Sequence, residues 1–132
     1  MLSNNIQASE QLYRAVKRSK PSWLDAGKPT SAMFKDIGGV SVDRDGNRKE
    51  DEIIKFMQEI SLPKRVKGIV RLSAEDCFKI EADIQAAPSE NNPYHANILL
   101  DEADIHKWNL QARRLAISSQ LIFFDENKEW TA

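Results

Sequence analysis

The sequence predicts one α+β domain, a mixed or antiparallel sheet packed against one long C-terminal helix and one or two shorter helices. Three observations predict it. Apolar residues alternate over Gln11–Lys17, and Val66–Leu72 is rich in β-branched side chains, both signatures of strands. Asp101–Gln120 instead repeats its apolar residues at helical spacing. The length, 132 residues, suits a single domain resting on packing alone, since a chain of that size buries about 70% of its unfolded surface.

Residues 1–9 are polar and are expected to be loosely held. Within Gln11–Lys17, alternation sends Leu12, Arg14 and Val16 to one face and Tyr13 and Ala15 to the other. Lys17-Arg18-Ser19-Lys20-Pro21 ends the strand. The stretch 22–31 holds Gly27 and Pro29 and reads as a loop, with Trp23 and Leu24 as its apolar anchor. Ser31–Lys35 reads as a short helix, capped by Thr30 or Ser31 and stopped at Gly38-Gly39. Val40–Val42 is a short strand closed by an Asp45-Gly46-Asn47 turn. Asp51–Glu59 is a helix. Its first turn is acidic, Ile53, Ile54, Met57 and Ile60 share a stripe, and Pro63 forbids its continuation.

Val66–Leu72 then forms a buried strand. Ser73-Ala74-Glu75-Asp76 has the form of a capping box, with Asp standing in for Glu, so a short helix carries Cys77 and Phe78. Lys79–Ile84 alternates Ile80, Ala82 and Ile84 as a strand, and 86–93, with two prolines, is an exposed loop. Tyr94–Leu100 is a strand. The long helix Asp101–Gln120 puts Ile105, Trp108, Ala112, Leu115 and Ala116 on one face. Leu121–Phe124 is too apolar to stay free and serves as a last strand or a core plug.

Hydrophobic residues at 41% and charged residues at 30% exclude collagen-like and wholly disordered chains. No apolar run approaches the roughly 20 residues of a membrane span. The net charge of −1 gives no overall field that would select nucleic acid, which is therefore a disfavoured partner. Charge is nonetheless uneven: residues 1–71 hold 14 Lys and Arg against 9 Asp and Glu, and 72–132 hold 5 against 11. Such a split makes a polar molecule unless the two halves interleave. Cys77 is the sole cysteine, so neither an internal disulfide nor a Cys-based zinc site is expected. The opening Met1-Leu2-Ser3-Asn4-Asn5 lacks a secretory pattern, and the expected compartment is cytoplasmic. No cofactor and no metal are expected.

Four groups of residues carry candidate chemistry. Ser41 through Glu52 places Ser41, Asp43, Asp45, Gly46 and Glu52 on the spacing of a calcium loop. Ser41 in the first position and Arg48 in a normally apolar one favour a plain strand-end turn. His95 follows a Pro-bearing loop at a strand entrance, where a rigid sheet can aim an acid–base group into a cleft, with Ser41 orienting a substrate. His106 reads as a rim residue. The basic group Arg14, Lys17, Arg18, Lys20, Lys64, Arg65, Lys67 and Arg71 suggests an anion. Arg14 shares an apolar face and so needs a partner, with a structural carboxylate favoured over a ligand. Finally, Thr30 and Ser31 open a short helix whose amides can hold an anion, although ordinary capping explains the same residues.

The segments Lys28–Asp36, Gly39–Arg44 and Asn92–Ile98 resemble a set of small bacterial proteins that read PSSAAF, LSVDR and HA.I in that order, over most of 12–118. No activity is established for that set, so the resemblance implies no reaction. It directs attention to Ser31, Phe34, Ser41, Arg44 and His95. The chain departs in carrying Thr30 for the first serine and Asn97 after His-Ala.

Two functions follow as expectations. One is a binding protein that recognises another macromolecule, a protein partner or a second copy of itself, through loop 22–48. Trp23, Met33 and Phe34 would make apolar contact there, with Lys35 and Arg44 at the rim. The other is a small enzyme on a phosphorylated or nucleotide-like substrate, with His95 as acid or base, Arg14 or Arg44 holding the anion and Ser41 orienting it. Both require residues 31–44 and 95 to meet at one wet surface.

Overall fold

The computed structural model describes residues 2–131. Alternating apolar residues build the strands β1 (Gln11–Lys17), β4 (Val40–Arg44), β5 (Val66–Ser73), β6 (Asp83–Ala86), β7 (His95–Leu99) and β8 (Gln120–Phe124). They pair antiparallel throughout, in the order β6-β7-β4-β1-β5-β8. A two-residue ribbon, β2 (Leu24–Asp25) with β3 (Lys28–Pro29), stands apart. The helices are α1 (Glu50–Phe56), α2 (Ala74–Lys79) and α3 (Ile105–Ser118), so the chain is α+β. Strands from residues 72–132 take both edges of the sheet and those from the first half its centre. Within the sheet, strands of the first half are therefore flanked on both sides by strands of the second.

The parity of β1 organises two cores. Leu12 and Val16 join Val42, Val70, Leu72, Ala96 and Ile98 under α2, α3 and a 3₁₀ turn at Ser31–Phe34. Tyr13 and Ala15 face the other way and pack with Val66 and Ile69 against Ile53 and Met57. This second cover reaches β1, β5 and β8 only, which leaves the β4–β7 part of that face without a helix over it.

Several elements differ from the sequence expectation, each for a local reason. α1 does not run straight to Glu59; it widens into a π turn at Met57–Ser61. The wider turn breaks the 3.6-residue stripe, so Ile53 and Met57 are buried while Ile60 is 57% exposed. The strand expected from Lys79 begins at Asp83, because α2 persists to Lys79 and Glu81 turns through φ 63°. α3 starts at Ile105, capped by Asp104, which accepts from His106 N and Lys107 N. Ile105 therefore overhangs the end and is exposed, and Gln111 takes a core position, bridging Asp101 N and Ile80 O. The Ser73–Asp76 capping box forms in both directions. Thr30 supplies no side-chain cap; its hydroxyl donates to Ser22 O. Leu121–Phe124 does pair as the last strand, against β5.

Of the segment 1–9, residue 1 lies outside the described residues. The remainder is tied down: Ser3 O accepts from Arg44, Ala8 O accepts from Glu75 N, and Ile6 packs against the larger core. Gly46, at φ +59°, meets the Tyr94 ring so closely that an added Cβ would lie 2.7 Å from it. Among the described residues no helix is long and apolar enough to cross a membrane.

Candidate functional site

The uncovered β4–β7 face forms the floor of a cleft of about 390 Å³. Met57, Ser61 and Leu62 line it together with Ser89, Asn91 and Asn92 of the loop before β7, and the two segments touch where Asn92 Nδ2 lies 3.5 Å from Ser61 Oγ. Period-two alternation aims the floor residues. Val40 and Val42 point into the larger core and Arg44 shares their parity, so Ser41 and Asp43 point into the cleft. His95 is the direct cross-strand partner of Asp43, and Tyr13 pairs with Asp43 from the opposite side. Directly opposed side chains leave the sheet about 5 Å apart, so carboxyl and imidazole stand side by side.

The imidazole is oriented. His95 Nδ1 lies 3.0 Å from Ala87 O, and a carbonyl only accepts, so Nδ1 carries the proton. Nε2, which makes no hydrogen bond among the described residues, is then the free nitrogen of the neutral ring. Asp43 is 4% exposed. Its Oδ1 accepts from Asn92 Nδ2 at 2.8 Å, while Oδ2 has no hydrogen-bond partner among the described residues. Burial pushes the Asp43 carboxyl above its ordinary value, and the Asn92 hydrogen bond with the charges of Arg48 and His95 only partly offsets this. Tyr13 donates to Glu50 at 3.1 Å, and burial together with that carboxylate pushes its phenol up to about 12. Ser41 Oγ stands 3.5 Å from Asn97 Oδ1, a length that leaves the hydroxyl free to turn.

The shift at Asp43 has a thermodynamic consequence. A carboxyl whose native value is raised binds its proton more tightly when folded. Stability therefore falls as pH rises from the ordinary aspartate range through the native value, then levels. Asp43→Asn is expected to flatten that slope in urea-unfolding midpoints taken from about pH 4 to pH 8. An unchanged slope would show that Asp43 bears no strain.

The cleft unites Ser41 and His95 as expected, but the other site candidates lie elsewhere. Arg14 borders the floor, yet its guanidinium turns to the larger core, where it meets Met33 O at 2.8 Å, Ser41 O at 2.9 Å and Asp36 at 2.8 Å, and lies over the Trp23 ring. Its ligand is a structural carboxylate. Arg44 is likewise engaged, by both oxygens of Glu10. Burial pushes the Glu10 carboxyl up, but the Arg44 hydrogen bond, the Gln7 amide and the Arg44 charge together hold it below its ordinary value. Ser31, Phe34 and Lys35 do not line the cleft. Phe34 is wholly buried, and Lys35 Nζ stands 5.3 Å over the Trp108 ring.

The apolar contact surface expected of Trp23, Met33 and Phe34 is absent, since all three are core residues. Such side chains gain more from burial in their own fold than from waiting at a surface. In the Ser41–Glu52 turn, Arg48 donates to Arg44 O and Asp45 O, so a cation of the chain itself already faces those carbonyls. Cys77 is buried, and that burial pushes its thiol up to about 12, away from the reactive thiolate.

The sequence offered Asp43 only as a calcium-loop position, not as the neighbour of His95, and Asn92 not at all. For Asp43 a signal existed: it lies two residues from Ser41 and so shares its face. Asn92, in a loop read as exposed, gave none. No family model, curated protein or solved structure matches this chain.

Proposed function

We propose that the protein is a small enzyme that binds a phosphate-bearing or nucleotide-like molecule in the β4–β7 cleft and uses His95 as its acid–base group. One observation carries the reading: Ser41, Asp43 and His95 share one face of two paired strands, at the floor of a single concavity. A fixed His95 tautomer favours the same role, because a base must present a free nitrogen before substrate arrives.

In hydrolysis of a phosphate ester, His95 Nε2 takes a proton from water as the water oxygen bonds to phosphorus. The ester oxygen leaves on the opposite side of phosphorus and takes a proton from solvent as the old P–O bond breaks, while the imidazolium gives its proton back to solvent, leaving phosphate and a free alcohol. Ser41 Oγ donates to a non-bridging oxygen, and Lys17 at the cleft margin supplies positive charge. Asp43, adjacent to the imidazole, favours its cationic form during the transfer.

Binding is the first requirement. Inorganic phosphate added to isotope-labelled protein is expected to shift the Ser41, Asp43 and His95 resonances in a saturable way. Unmoved resonances at those three positions at tens of millimolar phosphate would overturn the proposal.

A further inference from the structure

The eight basic residues that stand out in the sequence do not act as one group. Arg14 is held by Asp36, Arg71 by Glu50, and Lys67 is buried in a clasp with Asp125 O, Lys128 O and the Phe124 ring. The remaining five, Lys17, Arg18, Lys20, Lys64 and Arg65, line a second concavity of about 390 Å³ where β1 leaves the sheet and β5 enters it. None of the five forms an ion pair among the described residues. Among the described residues no carboxylate side chain lines the concavity, whose other residues are Ser19 and Thr131.

Five like charges held together repel one another, and among the described residues no acidic side chain offsets them here. The backbone is shaped around them. Lys64 sits at φ 67°, a left-handed conformation that costs a lysine free energy. A register shift between Val16 and Lys17 breaks the β1–β5 ladder at the same place, and bulges of this kind re-aim side chains. Arg18 is fixed rather than loose, donating to Glu129 O at 2.9 Å and Lys64 O at 3.3 Å.

Lys17 lines both this concavity and the His95 cleft, so the two adjoin at that side chain. We infer that the ligand of the cleft carries a compact run of phosphates, as a nucleoside diphosphate or triphosphate does, with its reacting end beside His95 and its further phosphates among Lys17, Arg18, Lys20, Lys64 and Arg65. The inference rests on the phosphate-binding reading of the cleft and names its substrate class. Compactness follows from the layout. The five cations share one pocket rather than a stripe, and the rest of the chain is net acidic. Recognition of single strands uses aromatic platforms, and no aromatic residue lines the basic pocket.

The test compares orthophosphate, tripolyphosphate and a single-stranded oligonucleotide by calorimetry and by resonance shifts. Tripolyphosphate is expected to bind about tenfold or more tighter than orthophosphate, and to shift both His95 and the Lys64–Arg65 turn. The double variant Lys64→Gln with Arg65→Gln, both exposed positions, should lose that gain while orthophosphate still shifts His95. Equal affinity for the two phosphates, or a gain that survives the double variant, overturns the inference. An oligonucleotide that outcompetes tripolyphosphate overturns it in favour of nucleic acid. If tripolyphosphate moves only the basic turn, and orthophosphate leaves His95 unmoved, the cleft reading fails and the bridge with it. If orthophosphate moves His95 and tripolyphosphate does no better, the cleft reading stands and only the bridge is lost.

Discussion

Arg14→Ala is expected to lower folding stability by about 2–5 kcal/mol, from two backbone carbonyls left without a donor at about 1–3 kcal/mol each. The substitution removes three hydrogen bonds at once. Asp36 is 39% exposed at its side chain and can hydrate, so little of the loss falls there. The main cost falls on the Met33 and Ser41 carbonyls, which lose their Arg14 donor, and on the Trp23 face that the guanidinium covers. Arg14→Lys should recover only part, because one ammonium cannot reach three acceptors set in three directions. Urea unfolding followed by Trp fluorescence measures both. An alanine variant within about 0.5 kcal/mol of the parent would mean that the network is incidental.

His95→Gln is expected to lower turnover of a phosphate monoester such as p-nitrophenyl phosphate by about 10²–10⁴-fold, the contribution of a positioned acid–base group. The loss should fall on kcat with KM little changed, since the imidazole moves a proton rather than holding the substrate. Glutamine can still donate to Ala87 O, so the loop–strand contact and the stability should persist. A folded variant with undiminished turnover would remove His95 from the chemistry. Equal loss through KM alone would make it a binding residue.

Much of the fold can be read locally. The alternation of Leu12, Arg14 and Val16 against Tyr13 and Ala15 predicts which side chains enter which core. The capping box at Ser73 and the turn at Gly46 need only their neighbours. The same parity, applied to Val40–Arg44, already separates Ser41 from Arg44. It was the resemblance, not the residue pattern, that grouped those two together. The site was less legible. Asp43 could be read from spacing, but Asn92 reaches it across 49 residues through a loop with no periodicity.

By itself the sequence determined strand parity, capping and turn chemistry, because these depend on backbone geometry over a few consecutive residues. The tertiary structure alone decided which charges are neutralised and which stay free. Arg14 found Asp36, Arg71 found Glu50, and Lys67 was enclosed by the chain end, while five other cations were left facing one concavity. It also decided that α1 covers β1 and β5 but stops short of β4 and β7. Ion pairing and helix coverage depend on distances between segments far apart in the chain, which no local pattern encodes.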